Sequence, residues 1–214
     1  MEIVSVNVGL PQTIVYQGKE LVTGIFKTPI SSSLYVSKVQ LDGDGQADLV
    51  YHGGEDKALC VYSMEHYTYW EQKLNRKMEL GAFGENVTVR GLLEEEVCIG
   101  DTFEIGEAIV QISQPRQPCH KLAKRYDVVD LVVQVQDTGY TGYYFRVIKE
   151  GMIPVQPQIK LMTRHEAGVT VAYANHIKYH DKKNLEAVER ILAVDALSAS
   201  WKDSFVKRLA DLQS

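Results

Sequence analysis

The sequence predicts a mainly β protein of the α+β class: a closed or nearly closed β-barrel over residues 1–160, then a small three-helix domain over residues 161–214. Three observations lead there. Short runs of alternating apolar residues, parted by glycine turns, fill the first two-thirds of the chain, as expected for a barrel of many short strands. Strand signal nearly disappears after Lys160. The remainder carries three segments with apolar residues at helical spacing.

Each element has its own justification. Glu2 to Leu10 alternates Ile3, Ser5 and Asn7 against Val4, Val6 and Val8, a strand with one buried face. Gln17-Gly18-Lys19 is a turn before a second apolar run, Leu21 to Phe26. Leu34 to Leu41 alternates again, and Asp42-Gly43-Asp44-Gly45 is a sharp loop. Lys57 to Tyr62 reads as a buried strand, and Glu65 to Leu74 as a helix with Ser63 as its cap. Strands follow at Glu85 to Val89, Glu96 to Ile99, Asp101 to Ile105 and Ala108 to Ser113, with turns at Gly100 and Gly106. One helix is expected over Lys121 to Gln136 and a strand over Tyr140 to Ile148.

The character changes near Pro154 to Pro157. Thr163-Arg164-His165-Glu166 fits a capping box. Helical spacing then covers Thr170 to Tyr179, Leu185 to Ala193 and Ser200 to Leu212, the last with Trp201, Phe205, Leu209 and Leu212 on one face. A tail of about 50 residues is small for independent stability and should lean on the barrel.

Composition bounds the function. A net charge of −5 argues against a general nucleic-acid binder. No apolar run approaches the ~20 residues of a membrane span, and the start of the chain lacks the basic and apolar regions of a signal peptide. Three cysteines without a close pair fit a reducing cytoplasm better than a disulfide framework.

The strongest chemical signal is Gln114-Pro115-Arg116-Gln117-Pro118-Cys119. Two prolines stop a continuing strand or helix, and leave a thiol in a stiff loop near a permanent positive charge. A thiolate is a nucleophile and a soft-metal ligand, and cationic neighbours favour it. The competing reading is a buried structural cysteine. Cys60 and Cys98, inside apolar patterns, read as core residues.

Three other segments carry weaker signals. In His52-Gly53-Gly54-Glu55-Asp56-Lys57 the glycine amides and Lys57 suit an anion, and His52 a proton transfer; an ordinary turn is the alternative. Asn86, after Phe83-Gly84-Glu85, can recognise a ring edge or serve turn chemistry. Arg146, after the Thr138 to Gly142 loop, can bind a phosphate bidentately or sit on the surface. Several motifs fail: the Asp42 to Gly53 stretch lacks the glycine and glutamate of a Ca²⁺ loop, His176 and His180 lack the intervening glutamate of a zinc-protease motif, and there is no Cys-x-x-Cys or Walker loop.

In order and spacing, Asp44 to Asp48, His52-Gly53-Gly54, Asp56-Lys57-Ala58, Phe83 to Asn86, Ile99-Gly100-Asp101, Gln114 to Cys119, Thr141 to Tyr144 and Arg146 resemble the MOSC family. That family is named for the C-terminal domain of molybdenum-cofactor sulfurases. The nearer likeness is to its stand-alone bacterial YiiM-like branch, whose three-helix domain the tail resembles. The resemblance implies a MOSC-type barrel in a cytoplasmic protein that uses the molybdenum cofactor, molybdopterin. Cys119 would be the molybdenum ligand and catalytic thiol. Gly53, Gly54, Lys57, Asn86, Arg116 and Arg146 are the candidates for binding the cofactor, and His52 for donating a proton. The implied activity is reduction of small N-hydroxylated compounds, such as N-hydroxylated purines, with electrons from an external donor protein. A non-catalytic cofactor carrier or sulfur relay is the alternative, and a plain interaction protein a third reading. The chain is too short to include the aminotransferase-like domain of the sulfurases, so pyridoxal phosphate is not expected. The oligomeric state stays open.

Overall fold

A computed structural model describes residues 1–48 and 53–213. In chain order the strands are β1 (Glu2–Val8), β2 (Gln12–Tyr16), β3 (Lys19–Thr23), β4 (Thr28–Pro29), β5 (Leu34–Val36), β6 (Leu59–Ser63), β7 (Val87–Arg90), β8 (Thr102–Ile105), β9 (Ala108–Pro115), β10 (Tyr143–Lys149), β11 (Gly151–Ile153) and β12 (Ile159–Thr163). The helices are α1 (Glu65–Leu74), α2 (His120–Tyr126), α3 (Leu131–Thr138), α4 (Val171–Tyr179), α5 (Leu185–Leu192) and α6 (Ala199–Gln213).

Eight strands form one sheet in the order β12-β8-β9-β10-β6-β7-β1-β4, curled into a half-barrel. Its pairings are antiparallel except for β6 with β7, which the α1 crossover makes parallel. β6, whose five residues are all buried, lies between β10 and β7, as its continuous apolar run requires. Two small two-stranded ladders, β2–β3 and β11–β5, complete the β structure. No helix among the described residues is long and apolar enough to cross a membrane.

The tail leans on the sheet through shared core. Val61, Val87, Phe103, Ile112 and Phe145 of the strands belong to one buried cluster with Val171, Ile177, Val188, Ile191, Trp201 and Phe205 of the three C-terminal helices. A second cluster lies under α1, α2 and α3 and includes Tyr62, Trp70, Phe83, Leu122 and Val135; Tyr62 stacks on Phe83 at 4.1 Å.

Four local expectations change. Ser63 does not cap α1: its hydroxyl donates to the Leu92 carbonyl at 3.1 Å, and Met64 precedes the helix with helical angles. Glu96 to Ile99 makes no strand. The buried carboxylate of Asp101 accepts the Cys98 N–H at 2.9 Å, and only an isolated bridge joins Cys98 to Thr170. The single helix over Lys121 to Gln136 is two, because Asp127 takes a left-handed φ of 55° that ends α2. The capping box at Thr163 is absent: Thr163 closes β12, the His165 N–H goes to Asp101, and Thr170 caps α4 by accepting from Tyr173 N at 3.0 Å.

Because strands and tail share one core, Trp201→Ala should cost about 3–5 kcal/mol. Denaturant unfolding followed by tryptophan fluorescence and circular dichroism should show both parts melting together. Separate transitions would contradict a common core.

Candidate functional site

The site is built where β9 leaves the sheet. Gln114 lies opposite Tyr144 of β10, and Tyr144 lies opposite Cys60 of β6, so the three residues form a row across three strands. One residue past β9, the Arg116 N–H still bonds the Gly142 carbonyl at 3.0 Å. The two-proline loop then turns the chain, and Cys119 stands in extended conformation just before α2.

An open cleft of about 80 Å³ lies here, with Cys60, Cys119, Arg116, Lys57, Lys121 and Tyr144 in its wall. A second hollow of about 360 Å³ shares Lys57, Cys119, Lys121 and Tyr144 with it. Together they offer room on the scale of a small-molecule site.

Arg116 is the distinctive group. It is buried, 6% exposed. Its Nη2 donates to the Phe83 carbonyl at 2.6 Å, its Nη1 makes no well-formed hydrogen bond, and the Tyr144 phenol lies beside the guanidinium. A buried guanidinium donor without a well-formed hydrogen bond is costly, on the order of 1–3 kcal/mol or more, and an anion supplied by a ligand would relieve that cost. The Cys60 thiol is pushed up to about 11, chiefly by burial, although Arg116 pulls the other way. Burial likewise raises the Tyr144 phenol, with Cys60 adding to the shift and Arg116 opposing it. Desolvation lowers the Lys57 ammonium, and Asp56 and Asp48 counter it. The cleft therefore pairs cations with two thiols and a phenol, and both Cys60 and Tyr144 keep their protons at neutral pH.

Asn86 lines this cleft but works for the fold. Its Oδ1 accepts from Cys60 N at 3.0 Å, and its own N–H donates to the Cys60 carbonyl at 2.8 Å. Its Nδ2 donates to Asp44 at 2.8 Å and to the Asn7 carbonyl at 3.2 Å. The amide expected to read a ring edge is thus engaged in fixing Cys60. Asp44 in turn pairs with buried Lys27 and accepts from Gly9 N at 3.0 Å, so the carboxylates of the Asp42 to Asp48 loop include a structural anchor. Glu85 accepts from Phe83 N at 2.9 Å, from Gly81 N at 3.2 Å and from Tyr67, which holds the Gly81–Gly84 turn. Gly84 has φ +74°, and a Cβ there would meet Ile25 at 2.9 Å.

The structure therefore brings Lys57, Asn86, Arg116 and Cys119 to one cleft. Gly53, Gly54 and Arg146 are outside the walls of both hollows. Gly54, at φ 96°, starts the 3₁₀ turn Glu55–Lys57 that carries Lys57. Arg146 braces that turn from behind: its Nε and Nη2 donate to Asp56 Oδ1 at 3.0 and 2.6 Å, which engages the fork expected for phosphate. His52 lies outside the described residues. Cys60 and Tyr144 are wall residues that the sequence reading did not assign to the site. Only strand register reveals them, because both sit inside apolar runs.

The chain belongs to the MOSC domain family, whose model matches residues 48–160, and a model of the YiiM-like, 3-alpha helix domain matches residues 169–211. It is 55% identical over 206 residues to YflK of Bacillus subtilis (strain 168), covering 96% of this chain and 93% of that protein. The crystal structure of YiiM from Geobacillus stearothermophilus superposes with a TM-score of 0.84 at 44% identity, over 97% of this chain and 98% of that one. A longer protein named Reductase from Gibberella moniliformis is 32% identical over 151 residues, 69% of this chain but 27% of the other.

A thiol pushed up to about 11 alkylates slowly at neutral pH, since only the thiolate attacks. Iodoacetamide at pH 7.5 should therefore label the partly exposed Cys119 and leave Cys60 intact by peptide mass mapping. Cys60 labelling in the folded protein should climb about tenfold per pH unit toward pH 11. Fast labelling of Cys60 at pH 7.5 would contradict its burial.

Proposed function

We propose that the Cys119 cleft binds a molybdenum cofactor and that the protein reduces N-hydroxylated compounds, N-hydroxylated purines among them, with electrons from an external donor protein. The observation that carries this is the Nη1 of Arg116, without a well-formed hydrogen bond, in the same wall as the Cys119 thiol. A soft ligand beside a cation lacking a well-formed hydrogen bond at one nitrogen suits a metal-bearing, anionic organic cofactor. Membership in the MOSC family and the likeness to a protein named Reductase support the same reading.

The residues present fit that group. Cys119 would supply the thiolate that ligates molybdenum. Arg116, through Nη1, would hold an anionic oxygen of the cofactor, and Lys57 and Lys121 would add positive charge at the rim. No cluster of three or more His, Cys, Asp or Glu among the described residues suits a metal ion, so Cys119 would be the protein's contribution to the coordination. The bound cofactor supplies two-electron redox chemistry, by which R–NHOH, two electrons and two protons become R–NH₂ and water. Tyr144 and Cys60, both held protonated, give this wall O–H and S–H donors toward the leaving oxygen, and His52 remains the proton donor expected from the sequence.

The test is expression in a cofactor-producing host, with molybdenum measured by mass spectrometry and turnover of an N-hydroxylated purine measured with a chemical reductant. Cys119→Ser should lower bound molybdenum and turnover by about 100-fold or more. Arg116→Ala should weaken cofactor retention by about 10-fold or more, the value of a buried charge-assisted hydrogen bond. Full molybdenum content in Cys119→Ser would remove the thiol from this role. Retained cofactor without turnover in the wild type would identify a carrier instead.

A further inference from the structure

A third hollow, of about 370 Å³, shares no wall residue with the two at Cys119. It lies where α1, the 93–95 turn, the end of α3 and α4 meet, at the junction of the half-barrel with the helical tail. Its chemistry is the reverse of the cationic cleft. Glu65, Glu94, Glu95 and Asp137 contribute carboxylates and His66, His176 and His180 imidazoles, and among the described residues no lysine or arginine lines it. Tyr69 and Tyr140 supply rings, Tyr140 stacked on His66 at 3.9 Å and met edge-on by Tyr69 at 5.4 Å. The inner wall is fixed: buried His66 and Glu94 pair at 2.7 Å, and the second oxygen of Glu94 accepts from Gly142 N at 2.8 Å.

A second observation points to a ligand. Asn175 lines this hollow and is 2% exposed. Its Nδ2 donates to Thr141 Oγ1 at 2.7 Å, and its Oδ1 has no hydrogen-bond partner. The Thr141 hydroxyl donates to the Gly142 carbonyl at 2.9 Å, and its oxygen accepts the Asn175 Nδ2 bond. The unpaired end is therefore an acceptor, in a wall already rich in acceptors and aromatic faces.

We propose that this hollow binds a small organic cation bearing N–H donors, a guanidinium or primary ammonium. Carboxylates at the rim attract the charge, Tyr69 and Tyr140 contact the carbon frame, and Asn175 Oδ1 accepts a hydrogen bond from the cation. A quaternary ammonium has the charge but no donor for Asn175. A divalent metal ion lacks a suitable cluster of three or more His, Cys, Asp or Glu among the described residues.

The test is calorimetric titration of the full chain with agmatine, against tetramethylammonium and magnesium at equal ionic strength. Agmatine should bind saturably at one site, more tightly than either control. Asn175→Leu should weaken it about tenfold, the effect of one charge-assisted hydrogen bond. The exposed double variant Glu95→Gln/Asp137→Asn should weaken it severalfold without altering the thermal melt, and it carries the test if Asn175→Leu does not fold. Absence of saturable agmatine binding, equal binding of the controls, or wild-type affinity in the folded variants would overturn the proposal. None of these outcomes bears on the Cys119 cleft.

Discussion

Asn86 ties strands β6 and β1, on either side of β7, to the 42–45 loop. Its side chain and backbone clamp both polar groups of Cys60 on β6, while its amide reaches Asp44 and the Asn7 carbonyl. Asn7 is held in turn by Ser5 at 2.7 Å and by Thr88 at 3.2 Å, and Asp44 by Lys27. Every member of this network is buried. Removing one partner would strand several polar groups away from water, each at a cost of about 1–3 kcal/mol. That penalty fixes one arrangement of β1, β6, β7 and the 42–45 loop. Cys60 and the cationic cleft are placed by it.

Asp56 performs the matching task from the other side. One carboxylate oxygen takes the Arg146 fork, and the other accepts the Ala199 N–H at the start of α6, at 3.0 Å. The residues around that helix start also bond β9: Ser198 N to the Ser113 carbonyl at 3.0 Å, and Ser200 Oγ to Gln114 at 3.1 Å. The last helix therefore begins against both the turn that carries Lys57 and the strand that delivers Arg116 and Cys119. The helical tail is part of the scaffold that sets the site's geometry, which agrees with the single core it shares with the strands.

Two regions of the molecule are electrostatically opposed. The Cys119 cleft gathers Lys57, Arg116 and Lys121, and the junction hollow gathers Glu65, Glu94, Glu95 and Asp137. A net charge of −5 conceals this separation, because composition averages over surfaces that a ligand meets one at a time. Each region also keeps one buried polar atom without a well-formed hydrogen bond, Nη1 of Arg116 and Oδ1 of Asn175, of the sign its wall favours.

The sequence by itself determined the class of fold, most of the strands and helices, and the three-helix tail, and it placed Cys119 in a proline-flanked loop. These rest on local properties: period-two and period-3.6 patterns, glycine turns, and prolines that stiffen a loop. It misplaced the cap of α1, the helix break at Asp127 and the strand at Glu96 to Ile99. In the first a distant group, the Leu92 carbonyl, takes the Ser63 hydroxyl, and in the last the neighbouring Asp101 carboxylate takes the Cys98 N–H. Tertiary structure alone decided which polar groups serve the fold and which line the cleft. Arg146 and Asn86 looked available in sequence and are engaged by Asp56 and by Cys60, whereas Cys60, which looked like core, and Tyr144, which was placed only in a strand, reach the cleft. A side chain's hydrogen-bonding partners lie tens of residues away along the chain, and only strand register brings them within reach.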